Sequence, residues 1–542
     1  MRKKIALVAV NSRTSHTNLA LYYIKKILKN IQKADCHLIE LTINENWKNS
    51  LEKVTDQQFD YYLFSVYIWN SEYIEQLVSM IKQLHPSAKV ILGGPEITYN
   101  HQKWKFLKIA DTLVVGQAET FITELFDNKL DVHHSEKTPI DKVPFPYEEE
   151  DYKNLTGRLV YYEASRGCLF NCTYCLSSCS DQKLEYRDIN KVKEELKTLI
   201  SIKPKIIKMV DRTFNSQREY AREIWNFLIQ LKSPIPFHFE IHPLFLEEED
   251  FEILKSAPEN LFHFEVGIQS TNKDILYAVD RPFNWEKERG NIRKLCLLKN
   301  IHTHLDQIVA LPLDTPFTAI ESFNDILSLY PDEFQLGFLK ILPGTSLAHQ
   351  VETYEMVVNS KPPYEVIQTA TMNFTEMKEF YNLETDLGRF YNNHYFKHTM
   401  SYLLKKSTSP WEFFSYLQEF SPQDRSVKRW AVLGESLYEY AKKYHNDEIE
   451  YIFDLLRLDW CPFASAQNFP PFLQRDDNES IKEKRKEVYP YCSENIDGFT
   501  RRDFNHSLLF IPQSDRLLKE LKGKAILFYR TDKVAQFLID LP

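Results

Sequence analysis

A loop of closely spaced cysteines constrains this chain more than any other feature. Residues 165–175 read SRGCLFNCTYC, so Cys168, Cys172 and Cys175 have the spacing CxxxCxxC and follow a glycine. Thiolates on so short a loop can reach different irons of one four-iron-four-sulfur cluster without long-range chain closure. Three ligands leave one iron open, and an open iron can chelate a small molecule that then reacts. The spacing therefore predicts such a cluster rather than incidental or buried thiols.

The bulk composition indicates a folded protein of several domains. At 542 residues the chain exceeds one ordinary core, so about three to four domains are expected. Hydrophobic residues make up 43% of the chain and aromatic residues 14%, which is ample material for large cores. A formal charge of −9 gives no reason to expect a nucleic-acid partner, although a local basic patch would be compatible with it.

The cysteines and the apolar runs indicate in which cellular compartment the protein is expected. Eight cysteines, four of them between Cys168 and Cys179, do not have the pattern of a disulfide framework, so a reducing cytoplasm is expected. The first apolar run, residues 5–10, is short and ends in polar residues, which predicts a β-strand rather than a secretion signal. No run reaches the ~20 apolar residues that a membrane-spanning helix needs, so no membrane span is expected.

Residues 1–130 predict an α/β domain with a doubly wound, flavodoxin-like parallel sheet, because short apolar runs alternate with amphipathic helices. The strands are expected near residues 5–10, 37–41, 60–67, 89–92 and 112–115. Ligands of such sheets bind beyond the carboxyl ends of the strands. The notable residues in those loops are Trp69, Gly93, Gly94, Glu96 and Gly116. The glycines would let the backbone approach a large planar or phosphate-bearing ligand.

The rest of the chain predicts a linker, a barrel and a helical region. Residues 131–158 contain three prolines and an acidic run without a regular period, which is typical of a linker. Residues 159–345 predict a partial barrel of TIM type with six βα units. Its strands are expected at residues 159–164, 206–210, 236–241, 262–267, 303–310 and 333–341. Residues 346–542 are expected to be mainly helical, with a small terminal strand region.

Polar side chains lie at or near the ends of the strands in this predicted barrel. They include Asp211, Glu240, Gln269 and Asp306. The chemistry of βα barrels takes place at the carboxyl ends of the strands. Any one of these side chains could instead cap a loop or form a salt bridge, so it is their convergence that indicates a binding site.

The cysteine loop with its Arg166–Gly167 lead and Tyr174, together with these strand ends, is similar to the radical S-adenosylmethionine (SAM) superfamily. The order of domains resembles the cobalamin-binding group of that superfamily, in a branch whose C-terminal domain has no assigned function. This resemblance implies a four-iron-four-sulfur cluster, SAM and cobalamin as cofactors. Many cobalamin domains carry an Asp-x-His-x-x-Gly segment whose imidazole ligates cobalt, and this sequence lacks it. Cobalt would then have no protein imidazole, or the domain would be degenerate.

The resemblance also implies roles for individual residues. Cys168, Cys172 and Cys175 would ligate three irons and SAM the fourth, which leaves Cys179 as a nearby non-ligand thiol. The SAM contacts would be Tyr174 at the adenine, Asp211 at the methionine amino group, Glu240, Gln269 and Asp306 at the ribose or carboxylate, and Arg281 at the carboxylate. The corrin site would include Trp69, Gly93, Gly94, Glu96 and Gly116. His16 lies near the expected cobalt-ligand position, but a solvated or helix-capping role competes with ligation.

The activity that the resemblance implies is reductive cleavage of SAM to a deoxyadenosyl radical, with methylation of an unactivated carbon of an unknown small molecule or peptide. An electron donor such as a flavodoxin or ferredoxin would be needed, and no catalytic residue is assigned. Two alternatives stay open. One is a radical oxidation, rearrangement or cyclisation without methyl transfer. The other is a non-catalytic cluster and cobalamin sensor, which would not need polar groups at so many strand ends.

Overall fold

The computed structural model of this chain describes residues 2–31, 34–124, 132–179, 183–464, 469–475, 478–530 and 534–540. The chain divides into two compact units. Unit 1 consists of Met1–Ser322 and Gln335–Met377, and unit 2 consists of Phe323–Phe334 and Lys378–Pro542. Within the described residues, no helix is both long and apolar enough to cross a membrane.

The N-terminal part of unit 1 is a doubly wound sheet, which confirms the predicted fold class. Its strands are β1 (Lys3–Asn11), β2 (Ala34–Thr42), β3 (Tyr61–Ser65), β4 (Lys89–Gly93), β5 (Thr112–Val115) and β6 (Val132–His134). Its helices are α1 (Leu19–Asn30), α2 (Trp47–Thr55), α3 (Ser71–Leu84), α4 (Pro95–Asn100), α5 (Phe106–Ile109) and α6 (Ala118–Glu124). The strands pair in parallel in the order β2-β1-β3-β4-β5-β6.

Strand β1 shows why this sheet is covered on both faces. Residues 5–10 are fully buried. Ala6, Val8 and Val10 pack into one apolar cluster, and the alternate residues of the strand pack into a second. A strand buried on both faces needs a continuous apolar run rather than an alternating one, which is the pattern that the sequence has there.

The acidic run of the predicted linker is fixed to helix α1. Lys25 is buried and pairs with Asp151 and, at 2.6 Å, with Glu150. Lys29 contacts Glu150 at 2.5 Å, and Glu148 bridges Lys26 and Lys29 at 2.8 Å each. The segment is therefore ordered by charge pairing and continues into the short helix α7 (Tyr152–Leu155). Residues 132–134, which fall in the predicted linker, form strand β6 of the first sheet.

The predicted six-stranded partial barrel is the second sheet of the structure. Its strands are β7 (Leu159–Tyr162), β10 (Ile206–Met209), β11 (Phe237–Ile241), β12 (Phe262–Gln269), β13 (Ile301–Val309) and β14 (Glu333–Phe338), in the order β14-β13-β12-β11-β10-β7. The accompanying helices are α8 (Ile189–Ser201), α9 (Arg218–Gln230), α10 (Glu248–Lys255), α11 (Lys273–Ala278), α12 (Trp285–Leu297) and α13 (Pro316–Leu327). A ribbon of β8 (Ser165–Arg166) and β9 (Glu185–Tyr186) flanks the cysteine loop.

The two faces of the barrel strands differ in polarity. In β12, Phe262, Phe264 and Val266 are buried, whereas the alternate positions are partly exposed. Trp225 of α9 packs against Phe264, so the aromatic face is turned toward the helices. Because side chains alternate along a strand, the polar residues share the opposite face. The strand pattern therefore places charged and amide groups inside the partial barrel.

The remainder of the chain is mainly helical, as predicted. Unit 1 ends with the hairpin β15 (Val357–Val358) and β16 (Val366–Gln368) and the beginning of α14 (Phe374–Asp386). A π-helical turn at Leu387–Tyr391 continues α14. The later helices are α15 (Lys397–Lys406), α16 (Pro410–Leu417), α17 (Trp430–Tyr444), α18 (Ile449–Trp460), α19 (Asn478–Asn495), α20 (Arg501–Asn505) and α21 (Asp515–Glu520). An antiparallel sheet contains β17 (Leu508–Phe510), β18 (Lys524–Arg530) and β19 (Val534–Asp540).

Candidate cofactor site

The cysteine loop leaves β8 and is held by backbone hydrogen bonds to two later segments of unit 1. The Thr173 amide donates to the Val279 carbonyl at 3.0 Å, and the Leu347 amide donates to the Thr173 carbonyl at 2.9 Å. All eight cysteines of the chain lie in described residues, and none of them forms a disulfide. Cys172 is the buried member of the predicted ligand set, whereas Cys168 and Cys175 are partly exposed. The loop thus offers three free thiols on a fixed backbone.

Arg281 contacts this loop directly. Its Nη1 lies 3.7 Å from Cys172 Sγ, and its Nη2 donates to the Gly267 carbonyl. Burial raises the pKa of the Cys172 thiol, and the guanidinium acts in the opposite direction. A cation at a thiol favours the thiolate, which is the form that ligates metal. The structure therefore directs Arg281 toward a predicted iron ligand, and its predicted pairing with the SAM carboxylate stays a prediction.

Cys179 has a different environment from the three predicted ligands. Its Sγ donates to the Cys175 carbonyl at 3.4 Å. Burial and the neighbouring Cys175 raise the pKa of the Cys179 thiol. A thiol engaged with the loop backbone helps to shape the loop, as Ser178 does by donating to the carbonyls of Cys172 and Cys175 at 2.8 and 2.7 Å. This arrangement is compatible with a non-ligand role for Cys179.

Asp211 supports the segment that leads into the loop. Its carboxylate accepts hydrogen bonds from the Ala164 amide at 3.2 Å and from the Ser165 hydroxyl. The residue is 1% exposed, and burial raises the pKa of its carboxyl to about 7. Both oxygens are thus engaged with residues just before the cysteines, and the contact of Asp211 with a methionine amino group stays a prediction.

The other predicted SAM contacts lie on the polar face of the barrel strands. Glu240 is 3.6 Å from Arg212, and Asp306 is 3.2 Å from His304. Burial raises the pKa values of both carboxyls. Tyr174 lies in the cysteine loop instead, and burial raises the pKa of its phenol.

Gln269 ends β12 with a positive φ of 73°, and its buried Oε1 has no hydrogen-bond partner within the described residues. A buried acceptor without a partner costs about 1–3 kcal/mol. A ligand that donates a hydrogen bond, such as a ribose hydroxyl, would satisfy it. This orphaned oxygen is the observation by which the strand-end residues fit SAM.

A second group of charged and titratable side chains lies on the same face of these strands, nearer their amino ends. This group was not predicted from the sequence. Glu265 accepts from Lys208 Nζ at 3.0 Å and contacts His238 Nε2 at 2.7 Å. With His304, these side chains line a cavity of about 260 Å³. The sequence pattern that could have predicted this group is the i, i+2 spacing of His238 with Glu240 and of His304 with Asp306. That spacing places both members of each pair on one face of a strand.

A larger cavity of about 520 Å³ lies at the carboxyl ends of β1, β3, β4 and β5. Four of the five predicted corrin-site residues line it, namely Trp69, Gly93, Gly94 and Gly116. The barrel side of the same cavity is lined by Tyr161, Glu163, Arg166, Val210 and Arg212. Its volume is typical of ligand pockets, which are about 300–1,000 Å³. One cavity therefore joins the strand ends of the first sheet to residues beside the cysteine loop.

The walls of this cavity suit a large flat ligand. The rings of Tyr67 and Trp69 stack with centroids 4.3 Å apart and an interplanar angle of 8°, and Trp69 is 48% exposed. Gly94 has a φ of +104°, and a Cβ there would lie 2.6 Å from the Val66 carbonyl oxygen. The glycine thus allows β4 to turn closely past β3 at the cavity. Tyr67 was missed because it reads as part of an apolar strand.

Glu96 is the predicted corrin-site residue that the structure does not bring to the cavity. Its side chain is buried and accepts from Trp104 Nε1 at 2.8 Å and from Asn100 Nδ2 at 2.7 Å. It also accepts from the Tyr364 hydroxyl. The strand-end position made it a candidate, but the carboxylate is turned away and joins α4 to the segment that follows the barrel.

His16 joins the first sheet to the barrel. Its Nδ1 is 2.9 Å from the Tyr161 hydroxyl, and its backbone forms an isolated bridge with Leu159. Burial, followed by nearby cations such as Arg13, lowers the pKa of its imidazole. The cap of α1 is instead Asn18, which accepts from the Leu21 amide. His16 therefore does not cap α1, and its partly exposed side chain lines the large cavity.

Three family models match the chain in succession. Residues 5–126 match the B12 binding domain, residues 162–326 match the radical SAM superfamily, and residues 352–502 match a protein of unknown function, DUF4080. The chain is a radical SAM protein with a B12-binding domain. Its cofactors are accordingly a four-iron-four-sulfur cluster, SAM and cobalamin. The three free thiols, the orphaned Gln269 oxygen and the large cavity fit these groups.

Relatives of this radical SAM protein include methyltransferases. A 2-(S-pantetheinyl)-carbapenam-3-carboxylate methyltransferase from Streptantibioticus cattleyicolor is 22% identical over 72% of this chain and 65% of its own length. The cobalamin-dependent radical SAM methyltransferase TokK from Streptomyces tokunonensis is 22% identical over 56% of this chain and 50% of its own length. The chain thus spans between half and two thirds of the lengths of these relatives.

The fold of this radical SAM protein is similar to a solved structure. The cobalamin-dependent SAM radical enzyme OxsB, with aqua-cobalamin and SAM bound, has a TM-score of 0.56 and 15% identity. The match covers 93% of this chain and 83% of OxsB. At this identity the likeness shows the fold, and the activity has to be argued from the site.

Proposed function

We propose that this protein is a cobalamin-dependent radical SAM methyltransferase that acts on an unactivated carbon of a small molecule or peptide. When bound, the cluster supplies the electron that cleaves SAM to methionine and a deoxyadenosyl radical, and cobalamin supplies a methyl carrier. A flavodoxin or ferredoxin would provide the electron. The names of the methyltransferase relatives support this class of reaction.

One observation carries the proposal. The large cavity is bounded by Trp69 and Gly94 from the B12-binding domain and by Arg166 and Arg212 from the barrel. Arg166 lies two residues before Cys168. A corrin held by the strand ends would therefore face the barrel opening beside the cysteine loop. Methyl transfer between two cofactors needs such a shared space, whereas a radical reaction at SAM alone does not.

The residues of the chain would hold and separate the reacting groups. Cys168, Cys172 and Cys175 would hold three irons, with Arg281 stabilising the Cys172 thiolate. Gln269 Oε1 would accept a hydrogen bond from SAM. The apolar stack of Tyr67 and Trp69 would exclude water from one side of the corrin. Positioning and the exclusion of water are what a protein contributes to cofactor chemistry.

The test is anaerobic reconstitution with iron, sulfide and hydroxocobalamin, followed by reduction with dithionite in the presence of SAM. We expect cluster and corrin absorbance, deoxyadenosine, and S-adenosylhomocysteine from methylation of the corrin. The matched control is Cys172→Ala, which should bind cobalamin but yield no deoxyadenosine. Deoxyadenosine with bound cobalamin but without S-adenosylhomocysteine would favour a non-methylating radical enzyme. Bound cofactors without deoxyadenosine would favour a sensor.

A further inference from the structure

Arg166 is held between two carboxylates at the wall of the large cavity. Its Nε and Nη2 contact Glu163 Oε1 and Oε2 at 2.9 and 2.7 Å, which is a bidentate pair. Its Nη1 donates to Glu119 Oε1 at 3.0 Å. The three side chains are only 12–13% exposed. The guanidinium is therefore fixed in one orientation by two partners.

The two partners belong to different parts of unit 1. Glu163 lies three residues before Arg166, so that pair is local to the barrel. Glu119 is the second residue of α6 and follows the Gly116 turn of the B12-binding domain. Arg166 itself ends β8, directly before Gly167 and Cys168. The Glu119–Arg166 pair therefore connects the turn that lines the corrin cavity to the first residue of the cluster loop.

The burial of these charges makes the connection more than a surface salt bridge. Exposed ion pairs contribute about 0–1 kcal/mol, but loss of one partner from a buried pair is strongly destabilising because a charge is left uncompensated. Here Arg166 would keep Glu163 if Glu119 were changed, so its charge would remain compensated. A change at Glu119 therefore removes the connection between the domains without leaving a buried guanidinium alone.

We propose that Arg166 is a positioning residue that couples cobalamin binding to cluster assembly through Glu119. This inference rests on the proposed function, because it needs both cofactors. A corrin packed against the Gly116 turn would stabilise the first turn of α6, which carries Glu119, and a cluster would stabilise the start of the cysteine loop, which carries Arg166. Because the Glu119–Arg166 pair joins these two segments, each cofactor favours the same arrangement of them. Ligands that stabilise one shared arrangement bind with positive cooperativity, and the coupling is reciprocal.

The experiment measures the dissociation constant of hydroxocobalamin for the cluster-free and the cluster-reconstituted full-length protein, by corrin absorbance and quenching of tryptophan fluorescence. We expect the reconstituted protein to bind roughly 5–50-fold more tightly, within the usual range of coupling between sites. In Glu119→Gln the ratio of the two constants should fall to about one. Because the ratio is taken within one variant, any direct contact of Glu119 with the corrin cancels.

The chain offers a matched control. Arg158 pairs with Glu40 at 2.6 and 2.9 Å, which also joins the first sheet to the barrel, and neither residue lines the large cavity. Glu40→Gln should retain the coupling ratio of the native sequence. Glu119→Asp, which keeps the charge on a shorter side chain, should retain part of it. The reverse measurement is iron retained against a chelator, which cobalamin should increase in the native sequence but not in Glu119→Gln.

The outcomes separate this inference from the proposed function. Cobalamin bound equally tightly with and without the cluster would overturn the coupling and leave the cofactor assignment standing. An unchanged ratio in Glu119→Gln, or an equal loss in Glu40→Gln, would also overturn it. If the native sequence binds no cobalamin in either state, the proposed function fails and the inference fails with it.

Discussion

At the scale of single residues, two thiols of the cysteine loop differ in what they contact. Cys172 is buried against the Arg281 guanidinium, whereas Cys179 donates to a loop carbonyl. We expect Cys172→Ala to lose the cluster, because two thiolates would have to hold it without the buried ligand. Cys179→Ala should keep the iron content and deoxyadenosine formation of the native sequence. Iron and sulfide per chain after anaerobic reconstitution check both; equal loss in the two variants would contradict the three-ligand assignment.

Gln269 gives a second prediction at this scale. Replacing it with leucine removes a buried acceptor for which the described residues provide no hydrogen-bond partner, so the free energy of unfolding of the cofactor-free protein should rise by about 1 kcal/mol. The same change removes an acceptor for SAM, so its dissociation constant should increase about tenfold, since 1.4 kcal/mol corresponds to a factor of ten. Urea unfolding and SAM titration of the reconstituted protein measure the two effects. A purely structural role would lower both stability and affinity.

At the scale of elements, the acidic segment and helix α1 predict a pH dependence. Hydrogen bonds from Lys25 and Lys29 lower the pKa of Glu150 to about 2. Burial alone would raise the pKa of Glu148, but the hydrogen bonds from Lys26 and Lys29 outweigh it and lower the pKa below its ordinary value. Both folded pKa values lie below the unfolded value of about 4.3, so the stabilisation is present above that pH and is lost as the pH falls toward 2.

The lysine variant that tests this element is Lys29→Met, because Lys29 contacts both glutamates and methionine keeps an apolar stem of similar length. The unfolding temperature of the native sequence should fall steeply as the pH decreases from 5 to about 3. The variant should unfold at lower temperature at pH 7 and show a shallower dependence on pH. The control is Lys53→Met on α2, whose lysine pairs with Glu45 outside this segment. Parallel pH profiles for Lys29→Met and the native sequence would contradict the role of this pairing.

The elements themselves were largely predictable, because their signals are local. The apolar run of residues 5–10 predicted β1, and the run of residues 89–92 predicted β4. The acidic segment looked irregular because its partners lie more than a hundred residues earlier, on α1. Glu96 was misplaced for the same reason, since Tyr364 lies far along the chain. Periodicity reports which face is apolar, but not which distant charge a carboxylate will meet.

At the scale of the whole molecule, both predicted cofactor sites lie in one of the two compact units. The large cavity and the cysteine loop belong to unit 1. Unit 2 has its own cores, among them the cluster of α19, α20 and the terminal sheet that contains Cys492 and Leu527. The two units are therefore expected to unfold in separate transitions, as chains with more than one core commonly do.

Ligand binding should distinguish these transitions. Cobalamin at about a hundred times its dissociation constant stabilises the unit that binds it by about 2.7 kcal/mol. Differential scanning calorimetry of the full-length protein should therefore show one transition that rises by a few degrees with hydroxocobalamin and one that does not move. Tyr364→Phe assigns the first to unit 1, because losing the hydroxyl that donates to buried Glu96 should lower that transition alone. Two results would contradict this assignment: cobalamin shifts both transitions, or it shifts only the transition that Tyr364→Phe leaves unchanged. Either result would mean that the corrin does not bind in the cavity that lies at the carboxyl ends of the first sheet.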